Sequence, residues 1–261
     1  MSLLSVERKT MILEALNHAG KVRTNDLVTQ LSVSSETIRR YLEELEADNL
    51  LKRVYGGAVK LNLEWEELPH MKREVLRADE KKRIGRLAAS LVQDHDVIAI
   101  DDGSTSLQMI HYLLYKKDLT IVTNSVPGLN LLIDYQNKEL FTGNIYFIGG
   151  RVDSKHSRIS GSVAEKLMDS FFVNKAFITI DGMLLDQGIT SYDADRAILA
   201  SKFMKNSKQN FVLTDYSKIG NSTLFRISEL TQVDTVICDK AAPVEWKSQL
   251  TRLDVEWLVA E

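Results

Sequence analysis

The spacing of apolar positions changes near residue 60. Before that point apolar residues recur at helical intervals in short segments; after it, apolar runs of strand length alternate with helical windows, which marks a boundary between two domains. Ile12, Leu16 and Ala19 share one face of a helix expected from about Val6 to Ala19, with Gly20 where a left-handed cap ends it. A second short helix passes through Leu27, Val28 and Leu31 with Thr24 as its cap, Ser32-Val33-Ser34 forms a turn, and Ser34 caps a third helix. In the third helix Ile38, Leu42 and Leu45 fall at i, i+4 and i+7 and bury one face, leaving Glu36, Arg39, Arg40 and Glu43 on the other. Leu50 to Tyr55 and Ala58 to Lys60 flank Gly56-Gly57, a two-residue hairpin signal that predicts a wing tipped with Lys52 and Arg53.

From Glu80 onward a helix through Ile84, Leu87, Ala88 and Leu91 precedes the strand Val97 to Ile100, and another helix follows Gly103. Further strands are expected at 120–122, 145–148, 176–180, 211–213, 235–237 and 255–258, with helical windows at 163–170 and 193–205 between them. Fully apolar strands alternating with helices predict an α/β domain whose mainly parallel sheet is covered on both faces. The organisation read from the chain is a winged helix-turn-helix over 1–60, a linker over 61–79 broken by Pro69, and an α/β domain over 80–261.

Composition narrows the function classes. With 26% charged residues and a net charge of −3, the chain has no global basic field, so any contact with nucleic acid has to be local. Cys238 is the single cysteine and sits in the apolar run Val236-Ile237-Cys238, which predicts a buried, unreactive thiol and excludes an internal disulfide. His18, His70, His95, His111 and His156 are scattered with no metal-ligand spacing and are expected at the surface; no Gly-x-Ser-x-Gly elbow occurs. Neither a metal nor a cofactor is expected, nor a catalytic residue. The start of the chain lacks a signal-peptide core and no apolar stretch spans a bilayer, so the expected address is the cytoplasm.

The exposed face of the third helix has the chemistry of a DNA reader. Arginine can donate two parallel bonds to a guanine edge or neutralise a phosphate, and hydroxyls at a helix start can bond phosphate oxygens. The candidate DNA-binding residues are Thr24, Ser34, Ser35, Glu36, Thr37, Arg39 and Arg40, with Lys52, Arg53, Gly56 and Gly57 from the wing. A small protein-interaction module is the competing reading, since Glu43, Glu44, Glu46 and Asp48 bring the region close to electroneutrality.

Ser34-Ser35-Glu36-Thr37-Ile38-Arg39-Arg40, then Leu42-Glu43-Glu44-Leu45 and Gly56-Gly57-Ala58, resemble the DeoR family of bacterial repressors, and the likeness extends over about residues 6 to 239. Tyr41 departs from it, standing where members usually place Asp.

In the second domain, Asp101-Asp102-Gly103-Ser104-Thr105-Ser106 follows a buried strand and opens a helix, a place where amides, hydroxyls and the helix dipole can meet an anion. Any α/β protein also needs tight Gly- and Ser-rich turns of this kind. Thr123-Asn124-Ser125, Gly149-Gly150-Arg151 and Asp181-Gly182 also follow strands, at the sheet edge where open sheets collect ligands. The family resemblance, which takes in Asp215-Tyr216-Ser217-Lys218, implies a sensor domain similar in fold to ribose-5-phosphate isomerase that binds a phosphorylated sugar or polyol. Carried over residue by residue, it nominates Asp102, Gly103, Ser104, Thr105, Ser106, Thr123, Asn124, Gly150, Asp181, Gly182 and Lys218 for the effector pocket. Arg196 and Ala200 depart from the family, whose members usually carry Glu and Lys there. The expectation is a repressor of a carbohydrate-utilisation operon, bound to double-stranded operator DNA as a homodimer or homotetramer with no membrane partner. The alternative is a sugar-phosphate isomerase with an accessory N-terminal module, using Asp181 or Asp102 as general base.

Overall fold

The computed structural model describes residues 5–19, 21–47, 50–54, 56–59 and 67–261. Gly20, Asp48, Tyr55, Lys60 and linker residues 61–66, all read above, lie outside them, as do the side chains of His18 and Ala19. The chain divides into two compact units, Met1–Trp65 and Glu66–Glu261.

In the first unit α1 (Ser5–Ala19), α2 (Thr24–Leu31) and α3 (Ser35–Ala47) enclose a core of Ile12, Leu16, Leu27, Leu31, Ile38, Leu42 and Leu45. Three short strands, β1 (Lys21–Arg23), β2 (Lys52–Val54) and β3 (Gly57–Val59), form an antiparallel sheet in the order β1-β3-β2. The hairpin differs from its expected form. Gly56 takes the left-handed turn position with φ +80°, whereas Gly57 is already strand, paired with Val54. Gly57 is required by close approach, because a Cβ there would sit 2.0 Å from the Val22 carbonyl oxygen of β1. Lys52 pairs with Val59 at the open end of the hairpin, so it lies at the root of the wing and not at its tip. β1 was not expected, since three residues are too few to show a period of two.

The second unit opens with α4 (His70–Val75) and α5 (Ala78–Ser90) and continues β4 (Val97–Ile100), α6 (Ser104–Ile110), β5 (Thr120–Thr123), α7 (Val126–Asn137) and β6 (Asn144–Phe147). After a hairpin of β7 (Arg151–Asp153) and β8 (Arg158–Ser160) come α8 (Ser162–Met168), β9 (Val173–Thr179), β10 (Gly182–Leu184), β11 (Gly188–Ser191), α9 (Ala194–Lys205) and β12 (Ser207–Thr214). The chain ends with β13 (Phe225–Ser228), β14 (Thr235–Cys238), α10 (Lys247–Arg252) and β15 (Glu256–Val259). Seven of these strands form one parallel sheet in the order β15-β14-β12-β9-β4-β5-β6. It contains every strand expected from the apolar runs.

Alternation along the strands builds two cores. Ile98, Ile100, Phe177 and Leu213 face α5 and α6 with Ile84, Ala88 and Leu107, while Ala99, Ala176, Ile178 and Val212 join Ala197, Ala200 and Phe203 of α9 on the opposite face. Cys238 is fully buried on this second face, and burial pushes its thiol up to about 12. The chain runs outward from β4 to β5 and β6, then returns to place β9 on the other side of β4. The carboxyl ends of β4 and β9 therefore diverge at a topological switch point.

Residues 67–79 are more than the linker the sequence suggested. Glu67 and His70 are buried in the second unit, and the His70 N–H donates to the Lys155 carbonyl at 3.1 Å.

Candidate functional site

The first candidate surface is the outward face of α3. Ser34 caps the helix by accepting from the Thr37 N–H at 3.2 Å, and the two hydroxyls share a bond at 2.9 Å. Ser35, Glu36, Arg39 and Arg40 are exposed beside them. The arginines are held loosely by acids of their own helix, Arg39 by Glu36 and Arg40 by Glu44, each at 3.8 Å, and the Arg40 guanidinium also lies 5.6 Å from the centre of the Tyr41 ring. Exposed pairs at that distance contribute little, so these guanidiniums can exchange to a phosphate or base edge at small cost.

Arg53 is engaged differently. Its guanidinium meets Glu43 at 2.7 Å and its N–H donates to Glu46 at 2.8 Å, which fastens the wing to α3. Thr24 opens α2 without a side-chain cap, its N–H donating to the Gly56 carbonyl. Tyr41 turns inward, 2% exposed, and its hydroxyl accepts from Arg8 at 3.5 Å; the departure at this position concerns helix packing and not the reading face. Lys21 and Arg23 are exposed on β1 and add basic groups that sequence reasoning missed.

The second candidate site lies at the switch point. Asp101 at the end of β4 accepts from the Gly103 N–H and Ser106 hydroxyl through Oδ1, and from the Thr179 N–H and hydroxyl, both at 2.7 Å, through Oδ2. These bonds latch the turn after β4 onto the end of β9. Gly103 is dictated by the same latch, because a Cβ would meet the Thr179 hydroxyl at 2.0 Å. Asp102, Asp181 and Arg196 fill the space beside it. Arg196 of α9, 2% exposed, donates to Asp181 Oδ2 at 2.8 Å and to the Thr179 carbonyl and hydroxyl at 3.0 and 2.8 Å, and its Nε lies 3.5 Å from Asp102 Oδ2. Ala200 lies on the buried face of the same helix, and Lys202 pairs with Asp169 instead of reaching inward.

Burial raises the pKa of Asp102, but Arg196 and Arg158 outweigh it and hold the carboxyl well below the usual carboxylate range. Asp181 is lowered in the same way, burial being overcome by Arg196, Lys218 and Arg73. For Asp101 burial wins over Arg196, and its pKa is raised.

The predicted pocket residues divide into two groups. Asp102, Asn124, Asp181, Ser104 and Lys218 gather around the switch point: Asn124 donates to Asp102 at 3.4 Å, Ser104 hangs from the Arg73 carbonyl at 3.5 Å, and Lys218 is close enough to lower Asp181. Thr105 is buried next to Ser104. The others serve the frame. The Ser106 hydroxyl is spent on Asp101, Thr123 accepts from the Ser125 N–H, and Gly150 and Gly182 allow close backbone packing.

Sequence reasoning missed Glu67, Arg73, Lys81 and Arg158, and it treated Arg196 only as a departure. Arg158, 1% exposed, donates to Glu67 at 2.7 Å and to Asp102 at 3.4 Å. Burial pushes the Lys81 ammonium down to about 8 even with Asp215 nearby; it donates to the Arg73 carbonyl that also receives Ser104. His70 and His156, expected at the surface, are buried beside this network at 2% and 8% exposure. For Arg196 a signal existed, because it shares the inward face of α9 with Leu199, Ala200 and Phe203.

Known proteins give the arrangement a context. The family profile described as "DeoR C terminal sensor domain" matches residues 76–240, and that described as "DeoR-like helix-turn-helix domain" matches residues 8–63. The HTH-type transcriptional repressor GlcR of Bacillus subtilis is 32% identical over 98% of this chain and 96% of its own. The glycerol-3-phosphate regulon repressor of Escherichia coli is 30% identical over 94% of this chain and 95% of its own. Among solved structures, ribose 5-phosphate isomerase A of Methanocaldococcus jannaschii aligns with 54% of each chain at 18% identity and a TM-score of 0.39.

Proposed function

The chain belongs to the DeoR family of helix-turn-helix transcriptional regulators, and from that premise we propose that it represses a carbohydrate-utilisation operon under the control of a phosphorylated sugar or polyol. The observation that carries the DNA-binding half is α3, whose inward face is wholly committed to the core while Arg39 and Arg40 project from a capped helix start. Such a helix enters the major groove with its first turns toward the bases. The β1-β3-β2 wing, with Lys21, Arg23 and Lys52 exposed, follows the phosphate backbone. One module of this size reads few base pairs, so the working form is a homodimer or homotetramer on repeated half-sites in the cytoplasm.

The effector binds at the carboxyl ends of β4, β5, β9 and β12. Asp102 and Asp181 accept from sugar hydroxyls, Asn124 adds an amide, and Ser104, Thr105, Lys81 and Lys218 meet the phosphate. Among the relatives, the glycerol-3-phosphate regulon repressor is named for a phosphorylated polyol. The isomerase alternative is not favoured. Asp102 and Asp181, its nominated bases, are held ionised by Arg196 below the ordinary carboxylate range, which makes them weak acceptors for a carbon-bound proton.

The test is a fluorescence anisotropy titration with DNA from upstream of the protein's own gene, repeated with phosphorylated sugars and polyols present. Sequence-selective binding altered by one of them supports the reading; affinity equal to that for random DNA refutes it.

A further inference from the structure

The geometry points to Glu67 and Arg158 as positioning residues that convey occupancy of the crevice to the chain segment entering the second unit. This rests on the reading above that a phosphorylated sugar or polyol binds there. Glu67 is the first described residue of that unit after residues 60–66. It is 4% exposed and faces two guanidiniums, Arg158 Nη1 at 2.7 Å and Arg73 Nη2 at 2.9 Å, with the His156 ring nitrogen Nδ1 at 3.5 Å.

The same Arg158 nitrogen lies 3.4 Å from Asp102 Oδ2, so one guanidinium is shared by the crevice carboxylate and the entry carboxylate. Its other terminal nitrogen reaches Asp153 at 3.5 Å and Asp193 at 3.6 Å. Arg158 is itself anchored, because β8 pairs with β7 and its first residue bridges to Ser125 next to the crevice turn after β5.

Hydrogen bonding around this shared guanidinium is incomplete. Among the described residues, Arg158 Nε, Asn124 Oδ1 and His70 Nδ1 are buried here without a hydrogen-bond partner, while Glu67 Oε1, Arg73 Nη2, His156 Nδ1 and Arg196 Nε meet oppositely charged or ionisable neighbours only at ion-pair distance, outside hydrogen-bond geometry. Native interiors leave few such atoms, and a group of them around one centre is what a polar ligand or an alternative pairing satisfies. A hydroxyl donating to Asp102 releases Arg158 toward Glu67, whereas an anionic group on Arg158 draws it away. Either event changes the hold on Glu67, Leu68 and Pro69, where Arg73 also donates to the Leu68 carbonyl at 3.0 Å. A ligand shifts an equilibrium only through a difference of this kind between two states.

The experiment uses the full chain as wild type, Glu67→Gln and Arg158→Lys. The probes are ribose 5-phosphate, glucose 6-phosphate, fructose 6-phosphate and glycerol 3-phosphate. Thermal shift reads probe binding and anisotropy reads its effect on operator affinity. The expected result is that Glu67→Gln keeps the thermal shift, while in both variants a change in operator affinity of about tenfold in wild type falls below about twofold. A merely structural role would lower the unfolding midpoint and leave that ratio intact; a full response in Glu67→Gln overturns the proposal.

If no probe acts on wild type, the effector reading fails for these ligands and a ligand-free measurement decides the relay separately. Amide hydrogen exchange of residues 67–75 is compared between wild type and Asp102→Asn, with the β15 amides as internal control. A change of about threefold or more confined to 67–75 supports the shared guanidinium, and unchanged exchange there overturns it.

Discussion

Replacing Arg196 by Met tests the electrostatic account of the crevice most directly. The substitution keeps much of the side-chain volume and deletes the cation that Asp181, Asp101 and Asp102 share at 2.8, 3.5 and 3.5 Å. Asp181 retains the Ser191 hydroxyl and the Tyr192 N–H, and the Thr179 carbonyl and hydroxyl each lose a donor. Removing one partner of a buried ion pair costs about 3–5 kcal/mol, against total stabilities of about 5–15 kcal/mol. In a unit spanning Glu66–Glu261 this lowers the midpoint by about 6–20 °C.

The pH dependence gives a sign that packing loss cannot imitate. In the wild type Asp102 and Asp181 have folded pKa values below their unfolded ones, so their contribution is present above the unfolded pKa near 3.8 and is lost as pH falls through the folded values. Asp101, raised by burial, acts in the opposite sense: it stabilises at low pH and loses that contribution as pH rises through its folded pKa. Without Arg196, burial governs Asp181 and raises it too. The folded variant then binds more protons than its unfolded chain, and the deficit relative to wild type shrinks as pH falls from about 7.5 to about 4.5. Urea unfolding of both proteins at the two pH values measures this. A variant within about 1 kcal/mol of wild type at pH 7.5, or a deficit that grows on acidification, would refute the account.

Arg39→Ala or Arg40→Ala is expected to weaken operator binding by about 1–3 kcal/mol where the arginine reads a base, and by a smaller, sequence-independent amount where it meets phosphate; salt-dependent anisotropy separates the two. Tyr41→Phe removes a hydroxyl that meets Arg8 at 3.5 Å and also interacts with Ser5 and Arg40, keeps the ring, and is expected to leave operator affinity within about 0.5 kcal/mol of wild type, so a change in sequence preference would contradict its inward placement. Ser104→Leu or Thr105→Leu is expected to leave DNA binding intact and abolish the effector response in the same titration. Cys238, fully buried with its thiol pushed up to about 12, is expected to resist a thiol reagent at pH 8 until the protein is unfolded, as followed by absorbance with and without denaturant.

Local periodicity carried much of the fold. Ile38, Leu42 and Leu45 identified the buried face of α3 because a helix repeats every 3.6 residues, and the inner parallel strands showed as apolar runs because they are buried on both sides of the sheet, whereas the edge strands β6 and β15 are only partly covered. The turn after β4 was legible for the same reason, since polar residues directly following a buried strand have few other places to go. Elements of three residues, such as β1, β7, β8 and β10, are too short to show a period, and the root position of Lys52 followed from pairing register alone.

The charged interior was beyond local reading for a different reason. Glu67 meets Arg158 across 91 residues and Asp102 meets it across 56, so no window of sequence contains the pair. An isolated Glu, Arg or His reads as a surface residue because burying it alone costs more than it returns. What reverses that for Glu67, Arg158, His70 and Arg196 is the convergence of the entry segment, β8 and α9 on the place where β4 and β9 part, and chain topology alone brings them there.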